Sequence, residues 1–173
     1  MEVKKIALIG GLSALTWALA SFNRLLPRGV GHVTIDAILC TFVLLLSVRL
    51  IGRGAPLTIG FIVGLLMPLL GGKPIAIPSW TARGLAISGV LYALRHKACC
   101  LKCCSLAASL SFLAQTMIGY VLNLALFINP KAWAPFTSFM LTVALVGSMS
   151  SLIGGLLTVK LSHRIEGAVG ATS

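Results

Sequence analysis

Six long apolar runs, at about 3–22, 33–50, 55–70, 78–94, 101–128 and 135–161, leave this chain little choice of fold. About 20 apolar residues cross the hydrocarbon layer of a bilayer. A backbone in lipid must satisfy its own hydrogen bonds, so runs of this length become helices. Only 10% of the 173 residues are charged and 58% are hydrophobic, whereas a soluble domain carries roughly a quarter charged. The expectation is an all-α polytopic membrane protein: one integral domain over 1–173, a six-transmembrane-helix bundle. The length leaves no room for a soluble catalytic or nucleotide-binding module.

Proline, glycine and basic residues punctuate the runs. Pro27, Gly29 and Gly31 break the first loop, Gly52-Arg53-Gly54 a tight turn, Gly71-Gly72-Lys73-Pro74 and Asn129-Pro130-Lys131 two more. Pro56 falls in the first turn of its helix, where a missing N–H costs least. The start imitates a signal peptide, with Lys4-Lys5, an apolar run and an Ala18-Leu19-Ala20 box. The run to Phe22 is long for one, so it reads as a retained first helix.

A net charge of +11 would suggest nucleic acid in a soluble protein. Here the cations sit in loops, with no basic patch interleaved with aromatics, so no nucleic-acid partner is expected. One set of ends holds Lys4, Lys5, Arg49, Arg53, Arg95, Lys97, Lys102, Lys160 and Arg164; the other holds Arg24, Arg28, Lys73 and Lys131. The positive-inside rule makes the first set cytoplasmic. Both termini are then inside (N-in/C-in), in the plasma membrane.

Arg83 is the one cation that falls more than a turn inside a span, in Pro78-Ser79-Trp80-Thr81-Ala82-Arg83-Gly84. Ionisable groups at membrane depth mark functional sites by default. Trp80, one turn earlier, offers a flat wall beside it. An Arg fork pairs carboxylates, so Arg83 predicts an anionic, carboxylate-bearing ligand. Gln115, Tyr120 and Asn123 of the fifth helix, Ser138 of the sixth and Trp133 of the loop before it complete an expected outward-facing pocket. His32 and Asp36 stand one turn apart on the second helix and can touch. Asp36 is the only acid near membrane depth, since Glu2 and Glu166 lie at the ends. No acid–base–nucleophile set assembles, so the chain does not read as an enzyme. Calcium or magnesium would need more carboxylates.

Cys99-Cys100-Leu101-Lys102-Cys103-Cys104, beside His96, could hold a soft metal or exchange disulfides. Adjacent pairs make a poor tetrahedral cage and a second ligand-rich loop is absent. They are taken as packing or lipid-interface residues, with no metal or cofactor expected. An intramembrane thiol oxidoreductase is the remote alternative, and a self-contained small transporter or channel the nearer one. Small residues recur at helix-contact spacing: Gly10, Ala14 and Ala18; Gly60 and Gly64; Gly147, Ser151 and Gly155. The last two sets read as contacts inside the bundle.

Across nearly its whole length the chain resembles the substrate-binding S components of energy-coupling factor (ECF) vitamin transporters. The features are its size, six helices with both ends cytoplasmic, Lys4-Lys5-Ile6-Ala7-Leu8 followed by Leu12-Ser13-Ala14-Leu15, Ala82-Arg83-Gly84, and a Gly-rich stretch from Gly147 to Leu157. The resemblance implies capture of a vitamin or related micronutrient at the outer half, under the loop joining the first two helices. It implies partners too: a membrane coupling subunit and two ATPase subunits. In that family an Ala-x-x-x-Ala pattern on the first helix docks on the coupling subunit, and Ala14 to Ala18 matches it, with Gly10 extending the stripe. The chain has no phosphate-binding loop, so ATP hydrolysis would belong to the partners.

Overall fold

A computed structural model describes residues 2–23, 30–70, 73–94, 101–128 and 132–170, with the side chains of 2, 30, 70 and 162–170 left aside. They form six helices: α1 (Glu2–Asn23), α2 (Val30–Leu50), α3 (Ala55–Leu66), α4 (Ala76–Ala93), α5 (Leu101–Leu126) and α6 (Trp133–Gly170). Pro56, Pro78 and Pro135 all fall in first turns, as their missing N–H requires. α3 stops early and tightens into a 3-10 turn over Met67–Leu70. Pro68 sits in that turn and has no N–H to extend the α-helical ladder.

Four helices are long and apolar enough to cross a membrane: α1, α2, α5, and α6 as far as Leu161. α3 has 12 residues, about 18 Å of helix. α4 has 18 residues.

α2 is the central post. Ala37, Cys40, Thr41, Leu44 and Leu45 are all fully buried, and the helix touches each of the other five. Small residues set the crossings. In the α3–α4 pair, Gly60 lies against the Trp80 carbonyl and Gly84 against Pro56, while Gly64 meets Ile77. Ascending positions on α3 meet descending ones on α4, so the pair is antiparallel. Gly147 lies under the Phe112 ring and Gly155 against the Cys104 carbonyl, which makes α5 and α6 antiparallel as well. Gly154 meets the Ile38 carbonyl, and Thr158 Oγ1 donates to the Phe42 carbonyl at 3.5 Å. Four residues up one helix match four up the other, so α2 and α6 run parallel.

Two of the small-residue stripes are therefore spent inside the bundle. The first is not: Gly10, Ala14 and Ala18 are exposed on α1. α1 buries its opposite side, through Leu12, Ser13, Thr16 and Ala20, and Trp17 Nε1 donates to the Leu66 carbonyl at 3.2 Å.

Candidate functional site

Arg83 has no exposed surface. Leaving an isolated cation there would be prohibitive, and the neighbours show how it is held. Nη2 donates to Thr41 Oγ1 at 2.6 Å and to the Ala37 carbonyl at 3.4 Å. Nη1 donates to Gln115 Oε1 at 2.9 Å and to Asp36 Oδ2 at 3.4 Å. Asp36 supplies the counter-charge, its side chain 18% exposed. The Trp80 and Phe112 rings lie 5.2 and 5.4 Å from the guanidinium carbon, within cation–π range. Thr41 passes the network on, donating to Ser151 Oγ of α6 at 3.3 Å. One side chain thus ties α4 to α2 and α5, and through Thr41 to α6.

This revises the expected role of Arg83. It is not a rim cation waiting for a ligand carboxylate, because the protein's own Asp36 already occupies it. The fork faces inward because α2, the helix that touches all five others, carries the only acid within reach. Helical spacing lets His32 and Asp36 touch; in the structure Asp36 accepts from Arg83 and, at 3.5 Å, from the Cys40 thiol.

A cavity of about 340 Å³ lies beside this knot. His32, Val33 and Asp36 line it from α2, Ser79 and Trp80 from α4, Phe112, Gln115, Thr116, Gly119 and Asn123 from α5, and Met140 and Val143 from α6. Ile75, Ala76 and Lys73 close the side next to the α3–α4 link. The first turns of α2, α4 and α6 and the last turns of α5 thus converge at one end of the bundle. At the other end the interior is filled by Leu45, Val48, Ile87, Leu91, Cys104 and Ala107.

Of the residues singled out from sequence, Trp80, Gln115, Asn123, His32 and Asp36 line this cavity together. Tyr120, Trp133 and Ser138 do not. Tyr120 is stacked on Phe136 with centroids 5.8 Å apart, and its hydroxyl meets Thr137 Oγ1 at 2.9 Å. It faces a separate apolar cleft of about 180 Å³ between α5 and α6. One residue is about 100° of helix, enough to turn Tyr120 off the Gly119 line. Trp133 is exposed and donates to the Ile128 carbonyl at 3.3 Å; Ser138, also exposed, donates to Ala134 at 3.2 Å. The cavity side of α6 is instead that of Met140 and Val143.

The sequence reading missed Ser79, Phe112, Thr116, Gly119, Met140 and Lys73. A signal for Phe112, Thr116 and Gly119 was available: Phe112, Gln115 or Thr116, Gly119 and Asn123 recur every three or four positions on α5 and so share a face. Among the described residues no three His, Cys, Asp or Glu side chains cluster as a metal site would need. Cys103 and Cys104 are buried near the start of α5; Cys99, Cys100 and His96 lie outside the described residues, as does the expected cap, the loop at 24–29. No protein-family model, curated protein or solved structure matches this chain.

Proposed function

We propose that this chain is the membrane-embedded substrate-binding subunit of an ECF-type importer, taking a vitamin-like micronutrient from the outer side. The observation that carries the reading is the cavity of about 340 Å³ toward one end of the bundle, lined by polar, aromatic and aliphatic side chains from four helices. Its volume suits a small molecule. The packed interior at the opposite end favours a binding subunit over an open channel, which would need a continuous path.

In this reading α3 with its 3-10 turn and α4 complete six crossings of the plasma membrane. Both termini are cytoplasmic, and the cavity opens outward. A carboxylate on the ligand would find its cation in Lys73 at the cavity wall rather than in Arg83. Gly10, Ala14 and Ala18 form the face that a coupling membrane subunit covers, and two ATPases bound to that subunit supply the energy. The chain itself binds and releases; it catalyses nothing.

Native mass spectrometry of the protein in lipid nanodiscs tests this. Gly119 lines the cavity, and a Cβ there would meet only Ser79 Oγ, at 3.5 Å. Gly119→Leu should therefore fill the space without unfolding the bundle. The expected result is a small-molecule adduct on the native chain that Gly119→Leu loses. A bare native chain, or an adduct indifferent to the substitution, refutes the assignment.

A further inference from the structure

The bonds made by Arg83 determine what its two neighbours can offer a ligand. Nη1 has two protons, and they go to Gln115 Oε1 and Asp36 Oδ2. A guanidinium has no acceptor atom, so the end of Gln115 that faces it must be the carbonyl oxygen. An inverted amide would set N–H against N–H. Gln115 Nε2 is thereby turned away from the cation, and it has no hydrogen-bond partner among the described residues, while the side chain lines the cavity. Its two protons are available to a ligand.

Asp36 lines the same cavity and is the complement. Its carboxylate has room for about four hydrogen bonds, and among the described residues only Arg83 and Cys40 donate to it. The two side chains share one nitrogen of Arg83, so a fixed donor stands beside a fixed acceptor. The Arg83–Asp36 pair is neutral as a unit. A cationic ligand finds its carboxylate already countered, and an anionic group placed here meets Asp36 head on. Trp80 and Phe112 also line the cavity, each 5% exposed with Arg83 over its ring, so the side nearest the pair is aromatic and largely dry.

We infer that the cavity recognises a neutral planar ring presenting an N–H beside a C=O, the edge of a lactam, cyclic urea or imide. The N–H donates to Asp36 and the C=O accepts from Gln115 Nε2. Arg83 is the positioning residue that fixes both. This rests on the cavity being a binding site, and the experiment separates the two claims.

The probes are benzimidazolinone, with the required edge, and indole, a ring of the same outline that keeps the N–H but carries a C–H where the C=O stands. Binding of each is titrated by saturation-transfer NMR to the nanodisc-embedded chain. The native protein should favour benzimidazolinone by tenfold or more, since a site built to bond a group rejects the analogue lacking it. Gly119→Leu should abolish binding of both. Gln115→Glu keeps an oxygen for Arg83 but removes the donor, so it should cost benzimidazolinone at least tenfold and remove the preference. A merely structural Gln115 would produce no such loss. Equal affinity of the native chain for the two probes overturns the inference, as does failure of benzimidazolinone to bind or an unaltered preference in Gln115→Glu. An adduct in native mass spectrometry, lost on Gly119→Leu, would in that event leave the binding-subunit reading standing and confine the failure to this inference.

Discussion

α1 and α4 are both marked by small residues, and the bundle uses them in opposite ways. On α4, Gly84 is pressed against Pro56 and Leu57 of α3, and one residue away Arg83 reaches into α2 and α5. Both sides of that helix are committed within the chain. On α1, a Cβ at Gly10 would meet nothing within 4 Å, and Ala14 and Ala18 are exposed beside Val3, Ile6 and Leu15. Small residues let helix backbones approach in lipid, where packing rather than water expulsion drives association. The α3–α4 contact is such an approach completed. The α1 stripe is the same surface left uncovered, which suits a second membrane protein.

The contrast is broken most severely at Gly84. A Cβ there would lie 2.9 Å from Leu57 Cα and closer still to the Pro56 carbonyl, and backbone cannot yield as a side-chain tip can. Gly84→Leu should cost about 3 kcal/mol or more, at the upper end of overpacking penalties. Loss of a cooperative thermal transition in detergent is the expected readout. A native-like transition would mean that α3 and α4 are not locked together.

The other side of α4 comes next. Arg83→Leu leaves Asp36 without its counter-charge and Thr41 and Gln115 without their donor. Breaking a buried pair costs about 3–5 kcal/mol, and the 18% exposure of the Asp36 side chain places this one near the lower figure. Adding Asp36→Asn should recover part of the loss, because a neutral amide tolerates the site better. If the double variant is no more stable than Arg83→Leu alone, the ion pair is not what holds the knot.

Much of this was legible beforehand. The positions of the six helices follow from the apolar runs, with Pro56 marking a first turn; the run at 55–70, read as one helix, instead tightens into a 3-10 turn at Pro68, a signal passed over, and α6 continues past 161 to Gly170. Arg83 was legible as the outlier, but its partner was not. Helical spacing places residues on a face of one helix and is silent on which helices are neighbours. Charge balance was the overlooked clue: one cation and one acid at depth point to each other before either points to a ligand. Tyr120 and Ser138 failed for a related reason. Helical spacing already sets Tyr120 somewhat to the side of the Gln115–Asn123 face, and that angle about the helix axis, more than shared depth, separates it from the Gln115–Gly119–Asn123 line. For the stripes, spacing alone could not say whether a neighbour lies within this chain or in another.

The α1 face should behave oppositely to α4. Ala14→Leu with Ala18→Leu adds bulk where nothing stands, so the isolated chain should keep its thermal midpoint, within about 0.5 kcal/mol as for surface substitutions. Ligand binding should be unchanged, while co-purification with a coupling subunit is lost. An intact complex would remove the docking role; a destabilised chain would mean that the stripe packs internally after all.

The smallest effect sharpens the comparison most, because one substitution is made on both helices. Gly10→Ala adds a methyl into open space and removes the backbone freedom of a mid-helix glycine. That exchange is worth about 0.5–1 kcal/mol in favour of alanine where no contact is lost. The same change at Gly84 drives its methyl into the α3 backbone and must destabilise. Opposite signs in thermal unfolding of the isolated chain are expected for Gly10→Ala and Gly84→Ala. In the presence of a coupling subunit the sign at Gly10 should reverse, since the methyl would then stand where the partner's backbone comes close. A gain at Gly10 that persists in the complex would place the partner elsewhere on α1.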